Sequence, residues 1–275
     1  MPATRISPED YQAFKAFLEQ SCGIVLGDNK QYLVTSRLNG LMLRHGVGSL
    51  GELVARLRQH AYVSLRGQVI EAMTTNETQW FRDIYPFAIL QNDLFPRLQA
   101  KRSWQIRLWS AGCSSGQEAY SMSIALQEFN ARGGRLEAQI LGTDISPAMI
   151  DRATAGRYPL SVINRGLTLE RRDTYCSGLD ENTWEVNRET RRRTSFRVHN
   201  LLESFALLGR FDIIFCRNVL IYFSTESRHD IISRMARVLN PGGFLVLGAS
   251  ESLARHAHEF ETVRCQGGVV YQLKT

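Results

Sequence analysis

The first 75 residues carry apolar side chains at helical spacing and contain no alternating strand pattern, which predicts a run of short helices. Ser7 supplies an N-cap hydroxyl ahead of a proline and two acidic residues, a strong signal for a helix start. Gly23 is expected to end that helix. A second helix is predicted over Asn29–His45, and two further helices follow from Ser49 onward. We therefore expect a helical module over residues 1–75.

From about Trp104 the pattern changes to strands that alternate with helices. This alternation predicts an α/β fold with a doubly wound, mostly parallel sheet. The last apolar run, Gly268–Leu273, is expected to pair antiparallel with its predecessor. The predicted strands are Ile106–Trp109, Ala138–Gly142, Phe211–Cys216 and Phe244–Leu247, and the predicted helices include one begun by Pro147 and one over Thr225–Leu239.

One polar, arginine-rich segment, from about residue 161 to 198, interrupts the alternation. It contains weak strand patterns around Trp184–Val186 and Thr194–Val198. Because it is too long for a simple connection, we predict a small inserted β-subdomain. Its basic residues are Arg188, Arg191, Arg192, Arg193 and Arg197.

The composition narrows the class of protein. With 44% hydrophobic and 22% charged residues in 275, the chain is neither collagenous nor disordered. Its longest uncharged stretch, residues 238–250, is shorter than the roughly 20 residues of a membrane-spanning helix. Acidic residues stand where a signal peptide would have its apolar run. We expect a soluble, cytoplasmic protein that does not insert into membranes.

Charge and metal-ligand patterns leave the partner open. The five cysteines are scattered without a CxxC pair, so neither a disulfide framework nor a zinc site is expected. His256 and His258 are only two residues apart, closer than the usual ligand pairs, and we predict no metal site. The net charge of +6 favours an acidic partner, which can be nucleic acid, an anionic membrane surface or an acidic protein.

A glycine-rich turn, Ala111–Gly116, follows the first predicted strand, where open parallel sheets bind ligands. Its glycines allow close approach of a ligand, and the next helix presents free N–H groups to an anion. The spacing is GxxxG rather than the GxGxxG of dinucleotide sites, which disfavours a dehydrogenase. Asp144 ends the second strand and can accept both ribose hydroxyls of an adenosine ligand. Both features also occur as ordinary turn and cap residues.

Two further segments sharpen this interpretation. Together with the glycine turn and Asp144, FDIIFCRN and LNPGG resemble, in order and spacing, the Rossmann-like S-adenosylmethionine-dependent methyltransferases. Within that class the chain resembles the CheR-type chemotaxis receptor methyltransferases along essentially its whole length. The matching segments are TTNETQWFRD (Thr74–Asp83), WSAGCSSGQEAYS (Trp109–Ser121), HNLL (His199–Leu202) and FCRNVLIYF (Phe215–Phe223).

The resemblance implies a fold and a reaction. The fold is an N-terminal helical substrate-recognition module, then a class I methyltransferase domain over residues 76–275, with a mostly parallel sheet, an antiparallel last strand and the inserted β-subdomain. The reaction is methyl esterification of glutamate side chains on the cytoplasmic helices of chemoreceptors. S-adenosylmethionine is the cofactor and S-adenosylhomocysteine the product.

The resemblance also implies a set of cofactor contacts. Asp144 suits the ribose hydroxyls, and the Asn200 amide offers a donor and an acceptor to an adenine edge. This chain has Gln117 and Ala119 where the commoner family pattern has Glu and Pro, but it keeps Glu118. The expected cofactor-binding residues are Asn76, Thr78, Arg82, Gly112, Glu118, Asp144, Asn200, Leu201, Arg217 and Asn218.

Arg82 and Tyr222 are the expected catalytic residues, because both match family positions that place the acceptor carboxylate. A glutamate with a pKa near 4.3 is ionised at neutral pH and needs no general base. The sequence alone also allows a surface or interdomain ion pair for Arg82 and a core position for Tyr222.

Lys30, Arg37 and Arg44 recur every seven residues on the second predicted helix, which places them on one stripe. We expect this stripe to contact an acidic receptor helix, although a solvated face would show the same pattern. The segment around Cys176–Asn182 is slightly shorter than in members that hold a receptor tail peptide, so tethering by a tail is not expected. Nothing in the pattern demands a dimer, and we expect a monomer.

Two alternatives remain at this level. One is a methyltransferase of the same class acting on RNA or a small molecule, which the basic charge permits. The sequence lacks the aromatic residues interleaved with basic ones on which bases stack, and we expect no nucleic-acid partner. The other is a non-catalytic interaction module that has kept a cofactor-binding fold.

Overall fold

The computed structural model describes residues 6–101, 104–253 and 258–274. These residues divide into two units. The first contains the described residues up to Thr75 together with Tyr222–Arg228, and the second contains Asn76–Ile221 and the described residues from His229 onward. No helix within the described ranges is long and apolar enough to cross a bilayer.

The first unit is helical, as its apolar spacing predicts. The Ser7 hydroxyl accepts a hydrogen bond from the Asp10 amide, and Gly23 ends the first helix at a φ of 78°. The Ser49 hydroxyl caps the third helix by accepting from the Glu52 amide. The helices are α1 (Pro8–Cys22), α2 (Gln31–Arg44), α3 (Leu50–Leu57) and α4 (Val63–Met73). Their buried apolar faces form this unit's core, with Tyr11, Phe14, Leu18, Leu38, Leu53 and Val69 at most 2% exposed.

The rest of the chain contains eight further α-helices among its described residues, with short 3₁₀ and π turns between some of them. Seven lie in the second unit, whereas the last one, Thr225–Val238, begins in the first unit and continues into the second. The sequence pattern did not predict the helical segment between the first unit and the first strand. The helices are α5 (Tyr85–Ile89), α6 (Phe95–Ala100), α7 (Gln117–Ala131), α8 (Pro147–Ala155), α9 (Leu160–Ile163), α10 (Leu169–Tyr175), α11 (Arg188–Arg191) and α12 (Thr225–Val238).

Ten strands of the second unit form two sheets. They are β1 (Gln105–Ala111), β2 (Glu137–Asp144), β3 (Arg157–Pro159), β4 (Cys176–Gly178), β5 (Thr183–Val186), β6 (Thr194–Val198), β7 (Phe211–Cys216), β8 (Leu239–Leu247), β9 (Phe260–Cys265) and β10 (Gly268–Leu273).

The large sheet has the strand order β6-β2-β1-β7-β8-β10-β9. The first five strands in this order are parallel, whereas β10 is antiparallel to β8 and to β9. The predicted mostly parallel sheet with an antiparallel last strand is therefore confirmed. β9 is an additional edge strand that its exposed, polar sequence did not reveal.

The inserted subdomain differs from the prediction. β3, β5 and β4 form a separate antiparallel sheet, so the small sheet begins before residue 161. Thr194–Val198, predicted as part of the insert, is instead β6, which pairs in parallel with β2 at the edge of the large sheet. A weak strand pattern does not say which sheet its backbone groups will join, because pairing is decided by neighbouring strands.

β1 is an inner strand of the large sheet, between β2 and β7. Trp109 is fully buried on β1, and its indole N–H donates to the Thr143 hydroxyl of β2 at 2.9 Å. The chain order reverses direction at β1, since β2 and β6 lie on one side and β7 and β8 on the other. In open α/β sheets a ligand site forms at such a reversal, beyond the carboxyl ends of the strands.

Candidate active site at the carboxyl edge of the sheet

The loop after β1 depends on two glycines. Gly112 has a φ of 74°, and a Cβ there would lie 2.5 Å from a methyl carbon of Val219. Gly116 caps α7 with a φ of 92°, and a Cβ there would lie 2.8 Å from the Cβ of Ala153. Left-handed backbone and close packing together demand glycine at both positions. The GxxxG spacing is therefore explained by the turn itself.

Asp144 connects the loops that follow β1 and β2. One carboxylate oxygen accepts from the Ser114 amide at 2.8 Å, and the other accepts from the Ser146 amide at 3.0 Å. The side chain is buried, since the residue is only 8% exposed. The Ser114 hydroxyl donates to the carbonyl of Asn76 at 2.9 Å, which joins the TTNETQWFRD segment to the same loop.

Arg217, directly after β7, is the centre of a buried polar network. Its guanidinium donates to Glu118 at 2.9 Å, to Asp83 at 2.7 Å and to the backbone carbonyl of Arg82 at 2.9 Å. The Arg217 side chain is 1% exposed. Glu118 also accepts from the Ser110 hydroxyl at 2.7 Å. A guanidinium at this depth requires carboxylate partners, and the network satisfies that requirement.

All five non-glycine residues with positive φ in the described chain belong to segments of this edge. Such conformations are costly for residues with a Cβ, most of all for a β-branched one such as Ile84, and they concentrate at functional sites. The five residues are Phe81, Asp83, Ile84, Ser114 and Asn218. The contacts of Arg217 to Arg82 and Asp83 help to hold the first three of them in place.

A cleft of about 260 Å³ is lined by six residues, two of which are arginines. Arg82 donates a long hydrogen bond, 3.3 Å, to the carbonyl of Glu77. Arg165 forms a 2.6 Å ion pair with the Glu77 carboxylate and thereby lowers the pKa of that carboxyl. The lining residues are Glu77, Thr78, Gln79, Arg82, Asp83 and Arg165.

The HNLL segment lies at the end of β6 next to β2. The His199 amide donates to the carbonyl of Asp144 at 2.9 Å, and the Asn200 side-chain oxygen accepts from the Leu202 amide at 3.0 Å. Leu201 is 7% exposed, and its carbonyl accepts from Arg234 at 2.8 Å. Burial lowers the pKa of His199 below its usual 6.5, so the ring is held neutral near pH 7.

Comparison with known proteins identifies the family. Residues 76–269 match the family described as CheR methyltransferase, SAM binding domain, and residues 9–74 match CheR methyltransferase, all-alpha domain. The chain belongs to the CheR methyltransferase family.

CheR relatives match the chain over nearly its full length. It is 49% identical over 269 residues to chemotaxis protein methyltransferase Cher2 of Pseudomonas putida, with 96% of this chain and 98% of the relative covered. It is 47% identical over 276 residues to chemotaxis protein methyltransferase 1 of Vibrio cholerae, with both chains fully covered. A solved magnesium protoporphyrin IX methyltransferase from Synechocystis is 15% identical with a TM-score of 0.40, over 99% of this chain and 100% of that one. The family match and the chemotaxis relatives make the protein an S-adenosylmethionine-dependent methyltransferase of chemotaxis.

The residues at the carboxyl edge fit that cofactor, which carries an ammonium, a sulfonium and a ribose diol. Two partly or fully buried carboxylates, Glu118 and Asp144, supply negative charge and acceptors. The side-chain oxygen of Asn218 is buried without a hydrogen-bond partner among the described residues, as expected of an acceptor reserved for a ligand. Asn76, Gly112, Glu118, Asp144 and Asn218 would hold the cofactor together with Thr78, Asn200 and Leu201.

Two other residues predicted for the site, Arg217 and Tyr222, make contacts with protein groups. The Arg217 guanidinium is occupied by three protein groups, so its side chain holds the loop of Arg82 rather than presenting charge to solvent. Tyr222 belongs to the first unit, where it is half-buried and its carbonyl accepts from the Val25 amide at 2.8 Å.

The predicted basic stripe of α2 requires a correction. The Arg37 guanidinium donates to the carbonyls of Met73 and Thr74 at 2.7 and 3.0 Å and to the Thr75 hydroxyl at 3.1 Å. It therefore secures the end of α4 instead of facing solvent as one member of a stripe. Lys30 lies just before α2 as its N-cap residue, and Arg44 is its last residue. Both are exposed, and their role in recognition stays a prediction.

The arginine cluster predicted to make the insert basic is largely neutralised. Arg191 pairs with Glu185, whereas Arg192 and Arg193 pair with Glu137 and Glu189. The contacts of Arg192 and Arg193 with Glu189 lower the pKa of that carboxyl to about 2. The sequence shows the arginines as a run, but the acids that pair with them come partly from other elements.

The described cysteines are mostly buried, and burial affects their thiol pKa values. Burial raises the pKa of Cys22 to about 11 and of Cys176 to about 12, and it also raises those of Cys113 and Cys216. In the part of the chain that the structure describes, no group of three or more His, Cys, Asp or Glu is placed to hold a metal ion. His256 lies outside the described residues.

Sequence reasoning missed two carboxylates of this edge. Asp83 completes the Arg217 network, and its only signal was its place at the end of the TTNETQWFRD segment. Glu251 follows β8 and binds the loop after β7 through its carboxylate. It lies three positions after Gly248, the first residue beyond β8, and a strand-end acid of that kind was a usable signal.

Proposed function

We propose that this methyltransferase esterifies glutamate side chains on the cytoplasmic helices of chemoreceptors, giving glutamyl methyl esters and S-adenosylhomocysteine. The observation that carries the proposal is the cleft between Arg82 and Arg165, next to the segment that Ser114 joins to the cofactor edge. The Arg82 guanidinium suits an acceptor that is a carboxylate, because it matches the charge and the planar geometry of that group, whereas Arg165 is already paired with Glu77.

The acceptor requires no activation by a base. A glutamate side chain is ionised at neutral pH and attacks the methyl carbon as a carboxylate. S-adenosylmethionine, when bound, supplies that methyl group on a positively charged sulfur. The two reacting charges cancel during the transfer, so the protein gains rate by excluding water and holding the reacting groups in line.

Arg82 is the residue proposed to orient the acceptor carboxylate. Its backbone is fixed by Arg217 and lies between Phe81 and Asp83, both with positive φ. A guanidinium on a fixed backbone loses little conformational entropy when the acceptor binds. It must not bind the acceptor carboxylate more tightly in the ground state than in the transition state. Tyr222 is proposed as a second group that places the carboxylate, through its hydroxyl.

Recognition of the receptor helix is proposed for the helical unit, through Lys30 and Arg44. Both side chains are exposed and positively charged, which complements an acidic helix. The pairing of Arg191, Arg192 and Arg193 with glutamates neutralises three of the five arginines of this cluster, which weakens the basic surface that an RNA substrate would require. This favours a protein acceptor over RNA.

The proposal is tested by transfer of a radiolabelled methyl group from S-adenosylmethionine to a chemoreceptor cytoplasmic fragment. We expect label that base releases as methanol and that disappears when the fragment's acceptor glutamates are changed to alanine. Label that resists base would assign a different acceptor atom. No transfer to any of several receptor fragments, with S-adenosylhomocysteine still bound, would contradict the proposal.

A further inference from the structure

Glu251 binds three backbone amides with one carboxylate. One oxygen accepts from the Asn218 amide at 2.7 Å and from the Gly248 amide at 2.8 Å. The other accepts from the Val219 amide at 3.1 Å. Hydrogen bonds to an ionised acceptor are about twice as strong as neutral ones. The carboxylate therefore connects the residues beyond β7 to those beyond β8.

This connection lies beyond the last backbone pairing of β7 with β8. The parallel ladder between the two strands ends at the pair Cys216 and Leu247. Beyond that pair the amides have no partner strand, and an unpaired backbone group carries a free-energy cost. Glu251 supplies the missing acceptors, and it does so for the residues that follow the most buried part of β7.

The residues held by Glu251 are those that shape the site. Asn218 has a φ of 59° and carries the buried, unpartnered side-chain oxygen. Its neighbour Arg217 reaches Glu118, Asp83 and the carbonyl of Arg82. Val219 packs against Gly112, as the 2.5 Å distance to a Cβ there demonstrates. A shift of this loop would move the cofactor edge and the Arg82 segment together.

Gly248 makes room for the arrangement. A Cβ at this position would lie 2.6 Å from a carboxylate oxygen of Glu251 and 2.9 Å from the Asn218 amide nitrogen. Any side chain there would push the carboxylate away from Asn218. The backbone of Gly248 does not require positive φ, so space is the constraint rather than conformation.

We propose that Glu251 is a positioning residue for methyl transfer, acting through the backbone of Asn218 and Val219 on the cofactor edge and on Arg82. Its carboxylate accepts from backbone amides, so the proposed role is to position other residues. The proposal rests on the proposed function only where receptor methylation is measured.

The test compares Glu251→Gln with Glu261→Gln, a matched change at an exposed glutamate of β9. The amide keeps the shape of the side chain but loses the charge and one acceptor oxygen. We expect S-adenosylhomocysteine affinity and kcat for receptor methylation each to fall about tenfold, the cost of a lost charged hydrogen bond, with KM for the receptor fragment unchanged. The amide proton signals of Asn218, Val219 and Gly248 are expected to move upfield in the Glu251 variant alone.

Three outcomes would overturn the proposal. The first is an affinity and a kcat within twofold of wild type. The second is a loss of activity equal to the unfolded fraction found by thermal melting. The third applies if Glu251→Gln fails to fold. The variant Glu251→Asp, which keeps the carboxylate on a shorter side chain, then replaces it. A lowered Tm for Glu251→Asp with wild-type kcat and wild-type affinity would overturn the proposal. If wild-type protein methylates no receptor fragment, the proposed function fails, while the binding and amide measurements still decide the role of Glu251.

Discussion

Arg217 and Glu118 form a 2.9 Å ion pair beneath the candidate site, although they are far apart in the chain. Glu118 lies in the first turn of α7 and Arg217 directly after β7, so the pair joins the two strands that flank the ligand edge. Because the Arg217 side chain is 1% exposed and also pairs with Asp83, removing Arg217 leaves two carboxylates without their cation. The pair also explains how Arg82 is held, since the same guanidinium binds its carbonyl.

Arg217→Gln is therefore expected to destabilise the protein by about 3 kcal/mol, because Glu118 and Asp83 lose their cation. Urea unfolding measures this change, with Arg264→Gln on exposed β9 as the control. The control should stay within about 0.5 kcal/mol of wild type. A decrease in the free energy of unfolding of less than about 1 kcal/mol for Arg217→Gln would mean that water solvates the two carboxylates in place of the guanidinium.

Arg82→Ala is expected to lower kcat for receptor methylation by about 100-fold, the effect of losing close orientation of a reacting group. The melting temperature should change little, because the Arg82 side chain makes one long hydrogen bond. Arg165→Ala serves as the second cleft variant and should raise KM more than it lowers kcat. Full activity of Arg82→Ala with unchanged stability would refute the orienting role.

Asp144→Asn is expected to weaken S-adenosylhomocysteine binding about tenfold or more, because the amide cannot accept from both Ser114 and Ser146 in the same orientation. Calorimetry gives the affinity. Asp151→Asn, an exposed aspartate on α8, is the matched control and should bind as wild type does. Equal affinities for the two variants would remove Asp144 from the site.

Stability is expected to fall as the pH drops below about 6.5, because burial lowers the pKa of His199 in the folded state. Below the unfolded value the unfolded chain binds a proton that the folded chain does not, so the free energy of unfolding decreases with decreasing pH. Above that value the group contributes no pH dependence. Chemical denaturation at pH 5.5 and 7.5 should show a smaller difference for His199→Gln than for wild type. His60→Gln, at an exposed histidine, should keep the wild-type difference.

Changing basic residues at and before α2 to glutamate distinguishes residues that recognise the receptor from residues that stabilise the fold. Lys30→Glu with Arg44→Glu is expected to raise KM for the receptor fragment several-fold without changing cofactor affinity, since both side chains are exposed. Arg37→Glu should instead lower the melting temperature, because it breaks three hydrogen bonds to the end of α4. An Arg37 variant that changes only KM would restore the single basic stripe.

Several elements of the fold followed from local patterns. The caps at Ser7, Gly23 and Ser49 depend on neighbouring backbone groups, and each was predicted at its position. The strand Phe211–Cys216 was predicted to the residue, because a run of buried apolar residues bounded by polar ones has few alternatives. The exposed edge strand β9 was missed because it carries no such run.

Residue chemistry and order along the chain were sufficient for the family, the sheet class, and the places of the glycine turn and of Asp144 at strand ends, since glycine turns and strand-end acids are local features. The tertiary structure alone decided how the charges are shared. It assigned Arg37 to the end of α4, Thr194–Val198 to the large sheet, and Arg217 to Glu118 and Asp83. It also brought Glu251 to the loop after β7. The physical reason is that a charged group takes whichever opposite charge or amide the fold brings within about 3 Å, and that neighbour can be a hundred residues away in the chain.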